Sequence, residues 1–204
     1  RPFPEELSLP SKKVQDLRYG ENPHQRAAFY REYRAPSEPT VSFSEVLQGK
    51  ELSYNNLLDL DAALGLVLEF ATTPAAVVIK HNTPCGVATD AVLEQAYRRA
   101  RAIDETSAFG GIIALNREVD EATAKALAET FLEAVIAPSY SPGAREILAG
   151  KKNLRLLSAG EALASSAAKP RAQLDARSVS GGLLLMDRDA VEPETEWKVV
   201  TKRQ

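Results

Sequence analysis

The sequence predicts an α/β fold in which a mainly parallel sheet is covered by helices on both faces. Its 204 residues are 44% apolar, which suffices for a sizeable core in one large domain or in a domain with an extension. Beyond residue 56, short apolar runs alternate with segments of helical periodicity. Strands separated by helices of roughly 10–15 residues are typical of crossover units that join parallel strands.

The N-terminal part is predicted to contain little regular structure. Residues 1–15 should form an extended linker, because three prolines disfavour a helix there. Turn-forming residues dominate LRYGENPHQ, residues 17–25. A short strand is expected over Arg26–Tyr30, followed by a polar loop at Arg31–Pro39.

The first clear helix is predicted over Leu57–Phe70. Asp59 and Asp61 near its start suit the positive end of the helix dipole. Its apolar residues recur at spacings of three and four, which mark one buried face: Leu57, Leu60, Leu64, Val67 and Leu68.

The alternation then continues to the last apolar strand. Ser158–Leu174 is small and polar, and is interpreted as a loop or a frayed helix. The remaining predicted elements are a strand beginning at Ala75, a helix over Ala91–Ile103 capped by Asp90, a strand over Ile112–Leu115, a helix over Asp120–Phe131, a strand over Glu133–Ala137, a helix over Gly143–Leu148 and strands over Asn153–Leu157 and Gly181–Met186.

Composition excludes several classes of protein. A net charge of −3 and a pI near 5.6 provide no electrostatic footprint for nucleic acid. No apolar run approaches the roughly 18 residues of a membrane span. The single cysteine, Cys85, excludes an internal disulfide and a multi-cysteine zinc site. We therefore expect a cytoplasmic protein that handles small molecules, and both ends of the chain suggest a piece of a larger protein.

Ala75–Gly86 is the strongest candidate for a site. The buried strand is expected to break at Thr83-Pro84, just after Lys80 and His81. Ligands of open α/β sheets bind beyond the carboxyl ends of strands. His81 could move a proton near neutral pH while Lys80 offsets developing negative charge. Alternatively, the lysine reaches solvent and the histidine holds a loop. Neighbours on a strand point to opposite faces, so a shared site requires the strand to end or bulge there.

Cys85 is an alternative nucleophile, although buried free cysteines are usually inert. Its Pro-Cys-Gly setting lacks the second cysteine and the His-x-Glu of a zinc deaminase, which nearly excludes that class. Gly110-Gly111 could allow close backbone approach to a ligand or merely form a turn.

Arg18-Tyr19 and Glu133 complete the candidates. The arginine fork suits phosphate or carboxylate, and the tyrosine ring could stack on a flat heterocycle; the alternative is a surface turn. Glu133 opens a predicted strand and is by itself most simply a solvated acid.

Several long strings together resemble one family. The chain is similar to the transformylase half of the bifunctional purine-biosynthesis family that joins AICAR transformylase to IMP cyclohydrolase, where AICAR is phosphoribosylaminoimidazolecarboxamide. The resemblance covers residue 3 to the end without large gaps. Its strings are LRYGENPHQ, GKELSYNN with LDLDAAL, VVIKHNTPCGVA, RARAIDETSAFGGIIALNREVD, EAVIAPSYSPGAREILAGKKNLRLL and SVSGGLLLMDRD.

The resemblance implies a cytidine-deaminase-like α/β/α unit without zinc. Residues 17–204 would form the first of two such units, and residues 1–16 a linker from a cyclohydrolase domain. The implied reaction transfers formyl from 10-formyltetrahydrofolate to the 5-amino group of AICAR. The implied partners are AICAR, the folate and a second copy in a homodimer, without nucleic acid, membrane or metal.

The resemblance also implies residue roles. His81 matches the proton acceptor and Lys80 its partner, while Arg18 and Tyr19 match an AICAR-binding pair. Gly110 matches a backbone position that contacts substrate, and Glu133 could accept hydrogen bonds from ribose hydroxyls.

Two departures from the family pattern limit these roles. The order Lys-His-Asn-Thr-Pro-Cys-Gly places the asparagine differently from many bacterial members, so no role is assigned to Asn82. The family's later Lys-Ser-Asn-Ala, Gly-Gln-x-Ser-Arg and Pro-Gly-Gly-Ser segments do not occur in this sequence. We therefore expect the catalytic pair but not much of the folate pocket, and weak or no turnover by the chain alone. The alternative function is a non-catalytic nucleotide-binding or assembly module.

Overall fold

A computed structural model describes residues 3–34, 38–70, 72–165 and 174–188, which belong to two compact units. The first unit, described over residues 3–165, contains a six-stranded sheet, its helices and a two-stranded hairpin. The second, described over residues 174–188, is a two-stranded antiparallel hairpin. Across these described ranges, no helix combines the length and apolar character needed to cross a membrane.

The elements follow the predicted alternation. The strands are β1 (Ser11–Leu17), β2 (Ala27–Glu32), β3 (Glu45–Gln48), β4 (Ala75–Lys80), β5 (Thr83–Thr89), β6 (Ile112–Leu115), β7 (Ala134–Ala137), β8 (Arg155–Ser158), β9 (Leu174–Val179) and β10 (Gly182–Asp187). The helices are α1 (Tyr54–Val67), α2 (Leu93–Ile103), α3 (Glu105–Ala108), α4 (Glu121–Ala128), α5 (Pro142–Ala149) and α6 (Ala162–Ser165), with a 3-10 turn at Val41–Phe43.

The six-stranded sheet is mixed, in the order β3-β8-β7-β6-β4-β5. Strands β6, β7 and β8 are parallel, because helices α4 and α5 provide the crossovers between them. Strand β4 is antiparallel to both β5 and β6, and β3 is antiparallel to β8. The α/β class is confirmed. The sheet is also mostly parallel, as predicted, in that four of its six strands, β5 to β8, point the same way. It is nevertheless mixed, because only two of the five neighbouring pairs are parallel.

Residues of the central strands alternate between two cores. Val78, Ile113 and Val135 pack in one core with residues of α2, α4 and α5. Val77 and Ile136, on the other face, pack in a second core with residues of α1. This period-two alternation covers both faces of the sheet with helices, as predicted.

Several predicted boundaries are wrong. Ser11–Leu17 is a strand paired with β2, so regular structure begins inside the predicted linker. Helix α1 begins before Leu57, because the Ser53 hydroxyl and the Asn56 side chain form a reciprocal capping box. Between α2 and β6, where no helix is predicted, the chain forms the short helix α3, capped by Asp104. Of Ser158–Leu174, residues 166–173 lie outside the described residues.

The helix α2 begins later than predicted. Val92 is its N-cap, and the Asp90 carboxylate instead accepts a hydrogen bond from the Val92 N–H, 3.2 Å away. This contact and a hydrogen bond from Arg99 hold the pKa of Asp90 below its usual range.

Candidate active site

Four of the predicted site residues, Lys80, His81, Gly110 and Glu133, lie at one edge of the six-stranded sheet. Strand β4 ends at Lys80, paired at Ile79 with Ile112, the first residue of β6. Gly110 lies two residues before β6, and Glu133 directly precedes β7. Because β4 is antiparallel to β6, its carboxyl end lies beside the amino ends of the parallel strands. The candidate site is therefore at the amino edge of β6–β8, opposite to the edge that the general rule for parallel sheets favours.

His81 and Asn82 form the whole loop between β4 and β5. Lys80 pairs with Thr83, so the chain reverses within two residues rather than breaking at Thr83-Pro84 as predicted. Both loop residues have positive φ, 52° for His81 and 60° for Asn82. This is the pattern of a type I′ hairpin turn, which usually contains glycine. Each non-glycine residue in this conformation costs about 1–3 kcal/mol unless its surroundings stabilise it.

The imidazole of His81 is free to meet a ligand. His81 is exposed, and within residues 3–34, 38–70, 72–165 and 174–188 its ring has no hydrogen-bond or ion-pair partner. Because His81 lies in the turn, the rule that strand neighbours point to opposite faces does not separate it from Lys80. The strand therefore does end at this pair, which a shared site requires, although it ends before Thr83-Pro84, where the break was predicted.

The ammonium group of Lys80 is held by the backbone before β6. Its Nζ donates hydrogen bonds to the carbonyl oxygens of Phe109, at 2.9 Å, and Gly110, at 3.1 Å. An ammonium group carries three donors, so one N–H remains for a ligand. Lys80 is partly buried and does not simply extend into solvent.

Gly110 is required by both conformation and space. Its φ is 69°, and its N–H donates to the carbonyl of Phe131 at 2.8 Å. A Cβ at this position would lie 3.1 Å from Lys80 Nζ and 3.3 Å from the Phe131 ring. Any side chain here would therefore displace the lysine or the aromatic ring.

Glu133 is paired rather than simply solvated. Its Oε2 accepts from Asn56 Nδ2 at 2.9 Å and lies 3.4 Å from an Arg155 guanidinium nitrogen. The Arg155 Nε also donates to the Glu51 carbonyl at 3.0 Å, which fixes the guanidinium. Sequence reasoning missed both partners. The capping position of Asn56 was a possible signal, whereas nothing local distinguishes Arg155.

Arg18 and Tyr19 lie in the loop after β1. Arg18 is exposed, with its guanidinium 5.9 Å from the centroid of the Tyr19 ring. The loop is tied to the first turn of α1 through Asn55 Nδ2, which donates to the Glu21 carbonyl at 3.4 Å. Among the described residues, no hydrogen bond or ion pair joins this pair to the residues at the sheet edge.

Cys85 lies within β5 instead of the predicted turn. Its thiol is partly buried 3.6 Å from the Val78 carbonyl, and burial raises its pKa. A raised pKa disfavours the thiolate, which is the nucleophilic form. No group of three or more histidine, cysteine, aspartate or glutamate residues in the described part of the chain could hold a metal ion.

Comparison with known proteins identifies close relatives. The family described as AICARFT/IMPCHase bienzyme matches residues 1–204. The chain is 78% identical over 202 residues to the bifunctional purine biosynthesis protein PurH of Myxococcus xanthus (strain DK1622), covering 99% of the chain and 39% of that protein. It is 59% identical over 205 residues to PurH of Anaeromyxobacter dehalogenans (strain 2CP-C), covering 98% and 39%. The chain thus spans well under half the length of these relatives.

Similarity to solved structures is low. RibD of Acinetobacter baumannii, form 1, matches with a TM-score of 0.39 and 16% identity, over 52% of this chain and 36% of that one. This level of similarity does not assign the chain to a fold family.

Proposed function

Because the chain belongs to the AICARFT/IMPCHase bienzyme family, we propose that it is the part of a purine-biosynthesis enzyme that carries the formyl-transfer site. The proposed reaction transfers the formyl group of 10-formyltetrahydrofolate to the 5-amino group of AICAR. The observation that carries the proposal is that three groups lie at one sheet edge: an imidazole with no partner among the described residues, an ammonium group with one of its three N–H donors unused, and a carboxylate held by two neighbours. The first two are a base and a positive charge, which acyl transfer to a weak amine needs, and the carboxylate is suited to binding hydroxyl groups of the substrate.

His81 is the proposed base. The 5-amino group is a weak nucleophile, so its proton must leave as its nitrogen attacks the formyl carbon. The exposed ring at the hairpin tip can accept that proton. When the tetrahedral intermediate collapses, the N10 of tetrahydrofolate leaves and takes up a proton, which the imidazolium can return.

Lys80 is the proposed stabiliser of the oxyanion. Attack on the formyl carbon places negative charge on its oxygen. The ammonium group keeps one N–H after donating to the carbonyls of Phe109 and Gly110, and those two contacts orient it. An oriented charge reorganises little during the reaction, which makes it effective in a transition state.

The remaining residues are proposed to bind AICAR. Glu133, held through Oε2 by Asn56 and Arg155, would accept hydrogen bonds from ribose hydroxyls. Arg18 would bind the phosphate, and the Tyr19 ring would pack on the heterocycle. Gly110 would contact the substrate through its backbone.

The wider setting is also proposed. The unit would be cytidine-deaminase-like and zinc-free, the first of two in a cytoplasmic homodimer. The remainder of the protein would supply much of the folate pocket and the IMP cyclohydrolase. Residues 1–16 would connect the two activities.

Two variants of the complete protein test the assignment. His81→Ala should lower the rate of formyl transfer by about 10²–10⁴-fold, and Lys80→Ala by about 10²–10³-fold. Ring closure to IMP should be unchanged in both, because it is assigned to another part of the protein. Lys125→Ala, which removes an exposed lysine of α4, is the matched control. Intact formyl transfer in both variants would refute the proposal, and loss of ring closure would assign the site to the other activity.

The alternative, a non-catalytic binding module, predicts a different pattern. Calorimetry with AICAR would then detect tight binding to the chain that is unaffected by His81→Ala. Formyl transfer by the complete protein would also be insensitive to that variant.

A further inference from the structure

We infer that Asp59 is a positioning residue that holds the His81-Asn82 turn in the conformation that presents the base. The inference rests on the proposed role of His81. It concerns a residue of α1 to which no role at the site has been assigned.

The turn has an unusual conformation and an external support. Both of its residues have positive φ, and neither is glycine. The Asn82 N–H donates to Asp59 Oδ1 at 2.7 Å. With its amide oriented to donate, Asn82 Nδ2 lies 3.1 Å from Asp59 Oδ1 and 3.1 Å from the Leu58 carbonyl. Residues of helix α1 therefore accept hydrogen bonds from both the backbone N–H and the side-chain amide of Asn82.

Helix α1 is a rigid mount for this contact. It is anchored in the core by Leu60 and Leu64 and begins at the Ser53 capping box. Asn56, one turn before Asp59, binds the carboxylate of Glu133. A single helix thus supports both the hairpin that carries the proposed base and the carboxylate proposed to bind ribose. This arrangement fixes the two groups relative to each other.

The expected consequence of losing Asp59 is imprecise placement of the imidazole. Substrate contacts assigned to Glu133, Arg18 and Tyr19 do not involve the turn and should persist. A misplaced catalytic group lowers kcat, whereas preserved substrate contacts keep KM nearly constant. The same split is not expected from general destabilisation of α1.

The test compares two substitutions in the complete protein. Asp59→Leu removes the acceptor at similar size and should lower kcat for formyl transfer by about 10–100-fold, with KM for AICAR nearly unchanged. Asp59→Asn keeps an acceptor oxygen and should retain most of the activity. Glu146→Gln, at an exposed position of α5, is the control. If Asp59→Leu does not fold, as judged by circular dichroism, Asp59→Ala replaces it in the same comparison.

A rescue experiment separates turn positioning from a structural role in the helix. Asn82→Gly, combined with Asp59→Leu, provides a residue that adopts positive φ without strain. It should restore kcat several-fold if Asp59 acts by holding the turn. A helix defect would not respond to a change in the loop.

His81→Ala, measured in the same experiment, distinguishes failure of the proposed function from failure of the positioning role of Asp59. If His81→Ala retains formyl transfer, the proposed function itself fails. If His81→Ala is inactive while Asp59→Leu has normal kcat, only the positioning role is refuted. Absence of rescue by Asn82→Gly also refutes it.

Discussion

Polar groups at the two edges of the central sheet differ in how much of their hydrogen-bonding capacity is used within the protein. At the amino edge of β6–β8, the His81 ring has no partner among the described residues, and the ammonium of Lys80 has one donor to spare. At the opposite edge, Asn116 follows β6 and is 1% exposed. Its Oδ1 accepts from the Ala75 N–H at 2.7 Å, and its Nδ2 donates to the carbonyls of Phe70 and Thr73.

Other polar groups near the opposite edge also have hydrogen-bond partners within the protein. The Tyr140 hydroxyl, after β7, lies 3.0 Å from the Val135 carbonyl and 3.1 Å from the Leu157 carbonyl. The Ser158 hydroxyl donates to the Pro138 carbonyl at 2.7 Å. Polar groups with every partner inside the protein stabilise the fold, whereas unused hydrogen-bonding capacity in a held group is available to a ligand. The candidate site therefore differs from the opposite edge in having polar groups with unused hydrogen-bonding capacity. The direction of the strands does not make this distinction.

The largest effect on the free energy of unfolding is expected at the opposite edge, where Asn116 lies. Asn116→Ala leaves a buried N–H and two carbonyls without their partner, so the free energy of unfolding should fall by about 3 kcal/mol. Urea denaturation of the chain measures this. Asn153→Ala, at an exposed position, is the control and should change it by less than about 0.5 kcal/mol. If Lys80→Ala destabilises as much as Asn116→Ala, the distinction between the edges is wrong.

A pair of glycines tests how the site edge is built. Gly110 and Gly160 both have positive φ, 69° and 80°, but a Cβ on Gly160 would meet nothing within 4 Å. Alanine in this conformation costs about 1 kcal/mol at either position, and crowding against Lys80 and Phe131 should raise the cost at Gly110 to about 2 kcal/mol. Only Gly110→Ala should also slow formyl transfer by the complete protein. Equal effects of the two substitutions on both measurements would contradict the proposed contact with Lys80.

The smallest effect on stability is expected from removing a buried tyrosine hydroxyl, and two tyrosines allow a comparison of a hydroxyl that has partners with one that has none among the described residues. Tyr140→Phe removes hydrogen bonds and should cost about 1 kcal/mol at neutral pH. Tyr97 is fully buried, and its hydroxyl has no partner among the described residues, so Tyr97→Phe should be neutral or slightly stabilising. Urea denaturation at pH 7 distinguishes them. A loss in Tyr97→Phe as large as that in Tyr140→Phe would contradict the importance of partners.

The same tyrosines determine a pH dependence. Burial raises the pKa of Tyr97 from 10.0 to about 12 and also raises that of Tyr140. The folded state therefore retains protons that the unfolded chain loses above about pH 10. Their contribution to stability is complete below that pH and declines as the pH rises toward the folded values. The free energy of unfolding, measured from pH 7 to 11, should decline less steeply with pH in Tyr97→Phe than in the unsubstituted protein. An unchanged slope would show that ionisation of Tyr97 does not cause the decline.

Local pattern predicted the individual elements better than their pairing. The strand over Ile112–Leu115 has the predicted bounds, and helical periodicity correctly located α1, whose Ser53 cap moves its start forward. Strand β5 was missed because Thr83-Pro84 resembles a turn. Proline is compatible with β5 because this strand lies at the edge of the sheet, where an N–H is not needed for pairing.

The amino-acid sequence by itself determined the α/β class, the candidate residues and the family, because periodicity and long specific strings are local properties of the chain. Only the tertiary structure decided that the candidate site lies at the amino edge of the parallel strands. It also revealed that the Asn82 N–H in the turn donates to Asp59, and that Asn56 and Arg155 contact the Glu133 carboxylate. Strand direction and these hydrogen bonds join residues distant in sequence, so they depend on how the elements pack and not on the pattern within any one of them.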